Sequence, residues 1–294
     1  MKELLAIKIL NDSIRNSNEL NTIVRKNGQI ANFINDSIGL AAKTIMAEKE
    51  IAKFDFEDFG ILLWPELSFG NVSSSDLFNL PELTLFNLYS QIALEYEVAI
   101  DLGANVGLHS IIMGRVGFKQ IIAVEADPSH IPNLRENLNR NNIENVQIRN
   151  QAVSDMAGEI VFTRLLGNLT GSHIKGSKEV VYGKIEEIAV ETFPLQDLMH
   201  STGRIFCKMD IEGHELVTIN GISKSTWQNL DLVVEISSNE NAQGIFEYCQ
   251  KNALHIFTEK TCWGLATALD QIPTNWREGS ALITSNAQFF EHIK

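Results

Sequence analysis

Cysteine is scarce in this chain, with only Cys207, Cys249 and Cys262 among 294 residues. Their spacing fits no metal site, and Cys207 lies inside an apolar, strand-like run. Buried free thiols in a reducing compartment are therefore expected. No apolar run approaches the length of a membrane span. The opening MKELLAIKILNDSIRN has no basic region, long apolar core or small-residue cleavage site, so no signal peptide is expected and the expected location is cytoplasmic. Basic charge is also short: 24 Lys and Arg against 37 Asp and Glu leave a net charge of −13. Neutralising phosphates needs a basic footprint, so no nucleic-acid partner is expected. There is no internal repeat and no low-complexity tract. What remains is 44% hydrophobic and 21% charged, a balance that can bury a core. The length suits one large α/β domain with an appendage, or two domains.

The first 53 or so residues place apolar side chains at mixed helical spacings (Leu4, Ile7, Ile14; Ile23, Ile30, Ile34, Ile38). Two or three amphipathic helices are expected, broken near Asn16–Asn18 and Asn27–Gly28. Their apolar faces need burial, either within the chain or against a second copy, so a homo-oligomer through these helices is one of two open outcomes. The aromatic stretch FDFEDFGILLWPELSFGNVSSSD reads as short extended pieces and turns, and LPELTLFNLYSQIALEY as a helix. From residue 97 the pattern alternates. Strands are expected at EVAIDLG, QIIAVEAD, VQIRNQAVS, EIVFTRL, IEEIAVET, RIFCKMDIE and LDLVVEISS, with weaker ones at LHIFTE and SALITS. Helices are expected after Asn105, across Ser129–Asn141, after Pro194, after His214 and across Asn241–Asn252. This predicts a Rossmann-like, doubly wound, mostly parallel sheet at 93–294, preceded by a helical and irregular extension at 1–92.

Residues 98–130, VAIDLGANVGLHSIIMGRVGFKQIIAVEADPSH, hold strand, glycine turn, helix, strand and a terminal carboxylate in the order of a nucleotide-binding βαβ unit. The turn is Gly103-Ala104-Asn105-Val106-Gly107. A dinucleotide turn would carry glycine where Asn105 stands and would place the third glycine one residue later. Asp101, at the strand end, would repel a pyrophosphate but suits a cofactor with cationic sulfonium and ammonium groups. Glu125 ends the second strand and can accept from both hydroxyls of a ribose. These details favour S-adenosylmethionine (SAM) over NAD. Gly103, Asn105 and Gly107 are the expected cofactor floor, with Ser110 supporting the helix start. Asp127 would either contact adenosine or cap the helix at Ser129. Ala126, Ala152, Val153 and Ser154 follow the strands toward the adenine. Asp155 would accept from its amino group or simply form a turn beside Gly158. The stretch 167–184, GNLTGSHIKGSKEVVYGK, has the composition of a functional loop, with His173 as a candidate over an acceptor; His109 is expected to pack inside the cofactor turn.

In KMDIEGHE (208–215), Lys208, Asp210 and Glu212 alternate with Met209 and Ile211, so all three would project to one side at the carboxyl end of a sheet, where ligands bind in open α/β folds. Asp210 is expected to line a reaction site, touching both cofactor and acceptor. Glu212, His214 and Glu235 are candidates to orient an acceptor hydroxyl or take its proton. Glu212 could equally cap a helix, His214 could be a solvated first-turn residue, and Lys208 could neutralise Asp210 or Glu235. No His or Cys pair has ligand spacing, so no metal is expected; Asp210, Glu212 and Glu235 are the carboxylates that would suit Mg²⁺.

Taken together, DLGANVGLHS (101–110), AVEADP (123–128), NLNRNN…NV (137–146), QAVSDMAGEIVF (151–162), KMDIEGHE (208–215) and VVEIS (233–237) resemble the FkbM family of SAM-dependent methyltransferases. The resemblance spans about residues 97 to 240 and departs mildly at Ala126, where the family commonly has Pro. It implies the class I methyltransferase fold and methyl transfer from SAM to an oxygen, often a hydroxyl of a sugar or natural product. A small-molecule or glycan acceptor is the implied partner. A non-catalytic Rossmann-like assembly protein that keeps its cofactor site is the alternative. A cluster of buried carboxylates, costly without a task, favours the enzyme.

Overall fold

A computed structural model describes residues 2–26, 28–178, 183–199, 203–291 and 293. Three helices open the chain, α1 (Lys2–Arg15), α2 (Ser17–Lys26) and α3 (Gly28–Met46), with the breaks where the Asn-rich positions were expected to put them. The aromatic stretch that follows is more regular than expected. It forms an antiparallel hairpin of β1 (Ile51–Phe56) and β2 (Gly60–Pro65), whose inward Phe54, Phe56 and Trp64 are buried. Helix α4 (Leu80–Ile92) starts at an Asn79 cap, whose side chain accepts from the Glu82 N–H at 3.2 Å, and carries Pro81 in its first turn.

The alternating half then runs β3 (Val98–Leu102), α5 (Leu108–Val116), β4 (Gln120–Val124), α6 (Ile131–Arg140) and β5 (Val146–Arg149). An insertion follows, made of β6 (Ala152–Ser154), β7 (Gly158–Leu165), β8 (His173–Ile174) and β9 (Ile185–Pro194). The chain re-enters at β10 (Ile205–Met209) and continues through α7 (Glu215–Asn220), β11 (Leu230–Glu235), α8 (Asn239–Asn252), β12 (His255–Thr258), β13 (Gly264–Leu265) and β14 (Ser280–Thr284). The main sheet has the order β13-β12-β14-β11-β10-β3-β4-β5. Strands β11, β10, β3, β4 and β5 are parallel, and β14 runs antiparallel between β11 and β12.

Central strands β3 and β10 are buried at every position. Their near-continuous apolar runs are what a parallel sheet covered on both faces requires. Not every expected strand joins that sheet. EIVFTRL and IEEIAVET pair antiparallel as β7 and β9 in a separate four-stranded sheet of order β6-β9-β7-β8. Both are exposed over much of their length, and half-solvated strands cannot occupy the interior of a doubly covered sheet. VQIRNQAVS likewise divides at Asn150 and Gln151, giving its second half to the insertion. Past Pro194 the expected helix is only a 3-10 turn, Leu195–Leu198.

One face of the main sheet is covered by α5, α6 and the N-terminal segment. Leu10, Ile38, Trp64 and Phe86 share a single core with Ile111, Phe118 and Phe206. The other face packs against α7 and α8 through residues such as Ile100, Leu232, Trp227 and Ile245. Each large side chain so buried contributes about 2 kcal/mol. Burial within the chain thus absorbs one face of α1 and α3, while Leu4, Leu5, Phe33 and Leu40 stay exposed. No helix among the described residues is long and apolar enough to cross a membrane.

Candidate functional site

Strand order reverses between β3 and β10, the two neighbours whose following connections leave toward opposite edges. A crevice at the carboxyl ends of the strands is the consequence. Here it is a cavity of about 1010 Å³. Gly103, Asn105, Glu125, Ala126, Ala152 and Val153 line it from the β3–β5 side, and Lys208, Asp210, Glu212 and Glu235 from β10 and β11.

The β3–β5 wall is built by backbone geometry. Gly103 has φ +78°, and a Cβ there would collide with the backbone carbonyl of Asp210, so the close approach of the β3 and β10 turns requires glycine. Gly107, at φ +95°, caps α5 against Leu134 and does not reach the cavity. Glu125 is 7% exposed, and each of its oxygens holds one backbone amide: Oε2 accepts from Asn105 N–H at 2.8 Å and Oε1 from Asp127 N–H at 2.7 Å. One carboxylate thereby locks the glycine turn to the end of β4 and keeps lone pairs for a ligand. Asp127 resolves toward the cap: Oδ1 accepts from both Ser129 N–H (2.8 Å) and Ser129 Oγ–H (2.7 Å), and Arg164 closes on both its oxygens. Burial pushes the Asp127 carboxyl up, but Arg164 and Ser129 hold it below its ordinary value.

The β10–β11 wall is different. Strand β10 ends at Met209, and Glu212 sits at φ +57°, so the three acidic and basic residues are gathered by a turn and not by strand alternation. Lys208, 6% exposed, places Nζ 3.5 Å from Asp210 Oδ2 and 3.8 Å from Asp101 Oδ1. Glu212 pairs with Lys178 of the glycine-rich loop. Burial, then repulsion from Asp210, pushes the Glu212 carboxyl up to about 7. Glu235 has no hydrogen-bond or ion-pair partner for its carboxylate among the described residues, and it lies well above the ordinary carboxyl value because it is buried and faces Asp210, Glu82 and Glu212. The turn itself is pinned by Glu215, which accepts from Gly213 N–H at 2.9 Å and from Asn241 Nδ2 at 2.7 Å.

Several expected residues lie off the cavity. Asp101 is fully buried beneath it, with Oδ2 accepting from Ser110 Oγ at 2.6 Å. Ser110 is thereby a strut between α5 and β3. His214 packs between Ser154 Oγ (2.9 Å) and Ser177 Oγ (3.3 Å), and burial lowers its basicity. Ser154 also donates to Asp155, which is exposed at a turn. His173 is buried and its Nδ1 meets the Gly171 carbonyl, while residues 179–182 of the same loop lie outside the described residues. Conversely, His109 reaches the cavity, and so do Glu82, Lys178 and His130, which sequence reasoning passed over. Glu82 is the sole carboxylate in LPELTLFNLYSQI. That signal was available, but a first-turn acid after an Asn cap has an ordinary explanation.

Parallel strands in this order, one antiparallel strand inserted beside β11, and a glycine turn joined to a carboxylate at the next strand define a class I methyltransferase. The chain belongs to the FkbM methyltransferase domain family, whose model matches residues 101–260. Its cofactor is SAM, and the site fits that group. Glu125 could accept from a ribose with the lone pairs it keeps, and Ala126, Ala152 and Val153 are apolar residues of the same cavity that could face an adenine. No curated protein matches the chain. Among solved structures, SMU.1697c from Streptococcus mutans in complex with SAH is 13% identical, covers 69% of this chain and 95% of its own, and has a TM-score of 0.38. Precorrin-6y C5,15-methyltransferase from Geobacter metallireducens is 12% identical, with coverages of 69% and 87% and a TM-score of 0.37. An rRNA methylase from Streptococcus thermophilus is 11% identical, with coverages of 69% and 93% and a TM-score of 0.37.

Proposed function

We propose that this methyltransferase transfers its methyl group to a hydroxyl of a sugar, glycan or other polyhydroxylated small molecule, with the cofactor over residues 103–106, 125–126 and 152–153 and the acceptor against Asp210, Glu212 and Glu235. The observation that carries the reading is the unpartnered, half-buried carboxylate of Glu235 in one cavity with Asp210 and Glu212. Carboxylates accept hydrogen bonds from hydroxyls and repel phosphates, so this wall suits a polyol and opposes a nucleic-acid acceptor. When bound, SAM supplies an electrophilic methyl on a cationic sulfur. Asp210 orients the acceptor, which Lys208 assists by fixing the Asp210 carboxylate. Glu235 takes the hydroxyl proton as the new C–O bond forms and the old S–C bond breaks. A cation in the cavity lowers the raised Glu235 value and so favours the ionised carboxylate that can take a proton. The surroundings that oppose its charge then favour the neutral acid left after proton transfer. Glu212, held by Lys178, orients a neighbouring hydroxyl.

The test is incorporation of labelled methyl from SAM into a panel of monosaccharides, glycosides and glycolipids, with ribosomal RNA as the contrasting acceptor. Label in a hydroxylated small molecule, lost in Asp210→Asn and Glu235→Gln, supports the reading. Label in RNA alone, or full turnover by Asp210→Ala, would sink it.

A further inference from the structure

The acid expected at the cofactor's cationic end, Asp101, is sealed below the cavity floor. A different carboxylate occupies the cavity beside the cofactor turn. Glu82, in the first turn of α4, lines the cavity next to Leu108 and His109, which open α5. It comes from the segment that precedes the family-matched residues 101–260. Its Oε2 lies 2.8 Å from His109 Nε2, and His109 Nδ1 lies 2.9 Å from the hydroxyl of buried Tyr89. The imidazole is further gripped edge-on by Phe86, with ring centroids 5.4 Å apart.

The proton positions in this chain of three follow from charge. Burial pushes the Glu82 carboxyl up, but His109 and Lys208 hold it below its ordinary value, so it is ionised near neutral pH. An ionised carboxylate cannot donate, so His109 Nε2 carries a proton toward it. Burial raises the Tyr89 phenol far above its usual range, so its hydroxyl stays protonated and shares a hydrogen bond with His109 Nδ1. Two buried side chains thus hold one carboxylate at a fixed angle. Oε1 of Glu82 has no partner among the described residues.

We infer that Glu82, oriented by His109 and Tyr89, is a cofactor-binding residue that accepts the α-ammonium of the amino-acid end of SAM. The placement follows from the two ends of the cavity. Glu125, Ala152 and Val153 lie at its β4–β5 side and suit the adenosine, which leaves the amino-acid end for the side where α5 begins. An ammonium there needs an acceptor. Asp210 already faces Lys208, Glu212 already pairs with Lys178, and the unpartnered Glu235 stands at the end of β11, whereas Glu82 keeps a free oxygen beside His109 in the first turn of α5. The N-terminal segment is therefore part of the cofactor site and not only a cover for the sheet. This rests on the cofactor alone and is independent of which acceptor is methylated.

Calorimetric titration of the full chain with S-adenosylhomocysteine and with 5′-methylthioadenosine tests it, because the second keeps the adenosine and lacks the amino-acid end. Glu82→Gln is expected to weaken the first about tenfold, the scale of one charge-assisted hydrogen bond, and to leave the second within about twofold. Unchanged binding of S-adenosylhomocysteine overturns the inference. Equal weakening of both ligands overturns it as well, since Glu82 would then only shape the cavity. Tyr89→Phe, which keeps the ring in the core and removes the hydroxyl that sets His109, guards against a folding defect in the first variant. It is expected to weaken S-adenosylhomocysteine about threefold and to spare 5′-methylthioadenosine; equal or absent effects count against the inference in the same way.

Discussion

Asp231 and Glu235 stand on one strand, β11, with three residues between them, and their surroundings are opposite. Asp231, near the amino end of the strand, accepts from Tyr96 OH at 2.8 Å and from Arg204 Nη2 at 2.8 Å, and Arg204 also reaches Glu95. Glu235, at the carboxyl end, faces three other carboxylates and has no partner of its own among the described residues. The first arrangement ties the starts of β3, β10 and β11 together. The second costs stability, because even a half-buried acid without a partner is unfavourable. The sheet is fastened at one end and kept chemically open at the other.

The largest expected effect comes from removing the open carboxylate. Glu235→Gln should lower methyl transfer by about a hundredfold or more while leaving the unfolding free energy unchanged or slightly higher. Steady-state rates beside thermal melts would show both, and a variant that melts early with normal turnover would reverse the assignment of the two ends. The mirror experiment is Asp231→Ala. It strands the Tyr96 hydroxyl and the Arg204 guanidinium, and should cost about 2 kcal/mol by denaturant titration with no change in affinity for S-adenosylhomocysteine.

Glu125 sharpens the comparison because it lies at the open end yet is engaged by two backbone amides. Glu125→Ala should weaken S-adenosylhomocysteine by at least about tenfold and also lower stability by about 2 kcal/mol, since Asn105 and Asp127 N–H lose their acceptor. Calorimetry and melting on one preparation would separate these.

The pH dependence of stability carries the same contrast. The Glu212 carboxyl is pushed up to about 7 from 4.5, and Glu235 is raised as well. The folded protein therefore holds protons that the unfolded chain releases. The contribution of each is complete below its unfolded value and is lost as pH rises through its folded value, about 7 for Glu212. Tm should climb as pH is lowered from about 8 to 5, and Glu235→Gln should flatten that slope; a slope of the other sign would mean these acids are paired in solution. The smallest effect is expected at His214, which packs against Ser154 and Ser177 and does not itself line the cavity. His214→Asn should leave S-adenosylhomocysteine affinity within about twofold, as read by the same titration.

The local chemistry was legible in the residues themselves. The glycine spacing at 103–107, the acid closing IIAVE and the K-x-D-x-E-G-x-E run are short, contiguous patterns whose backbone demands are set within a few residues. They identified the cofactor fold and pointed to Lys208, Asp210 and Glu212, which the turn after β10 gathers at one cavity where strand alternation had been expected to do so. The burial of β3 and β10 was likewise written in near-continuous apolar runs, each interrupted by one charged residue, Asp101 and Lys208. Contacts far apart in sequence were not legible. That β7 and β9 leave the main sheet depends on pairing partners, and alternating strands look alike in either place. Asp101 and Glu82 are two acids of equal appearance in sequence. Only packing decided that the first is sealed under the floor and the second, held by a histidine 27 residues away, reaches the cavity. Local sequence determines which backbone shapes form, because those energies are summed over neighbours; which carboxylates keep water, a partner or neither is fixed only when distant segments close around them.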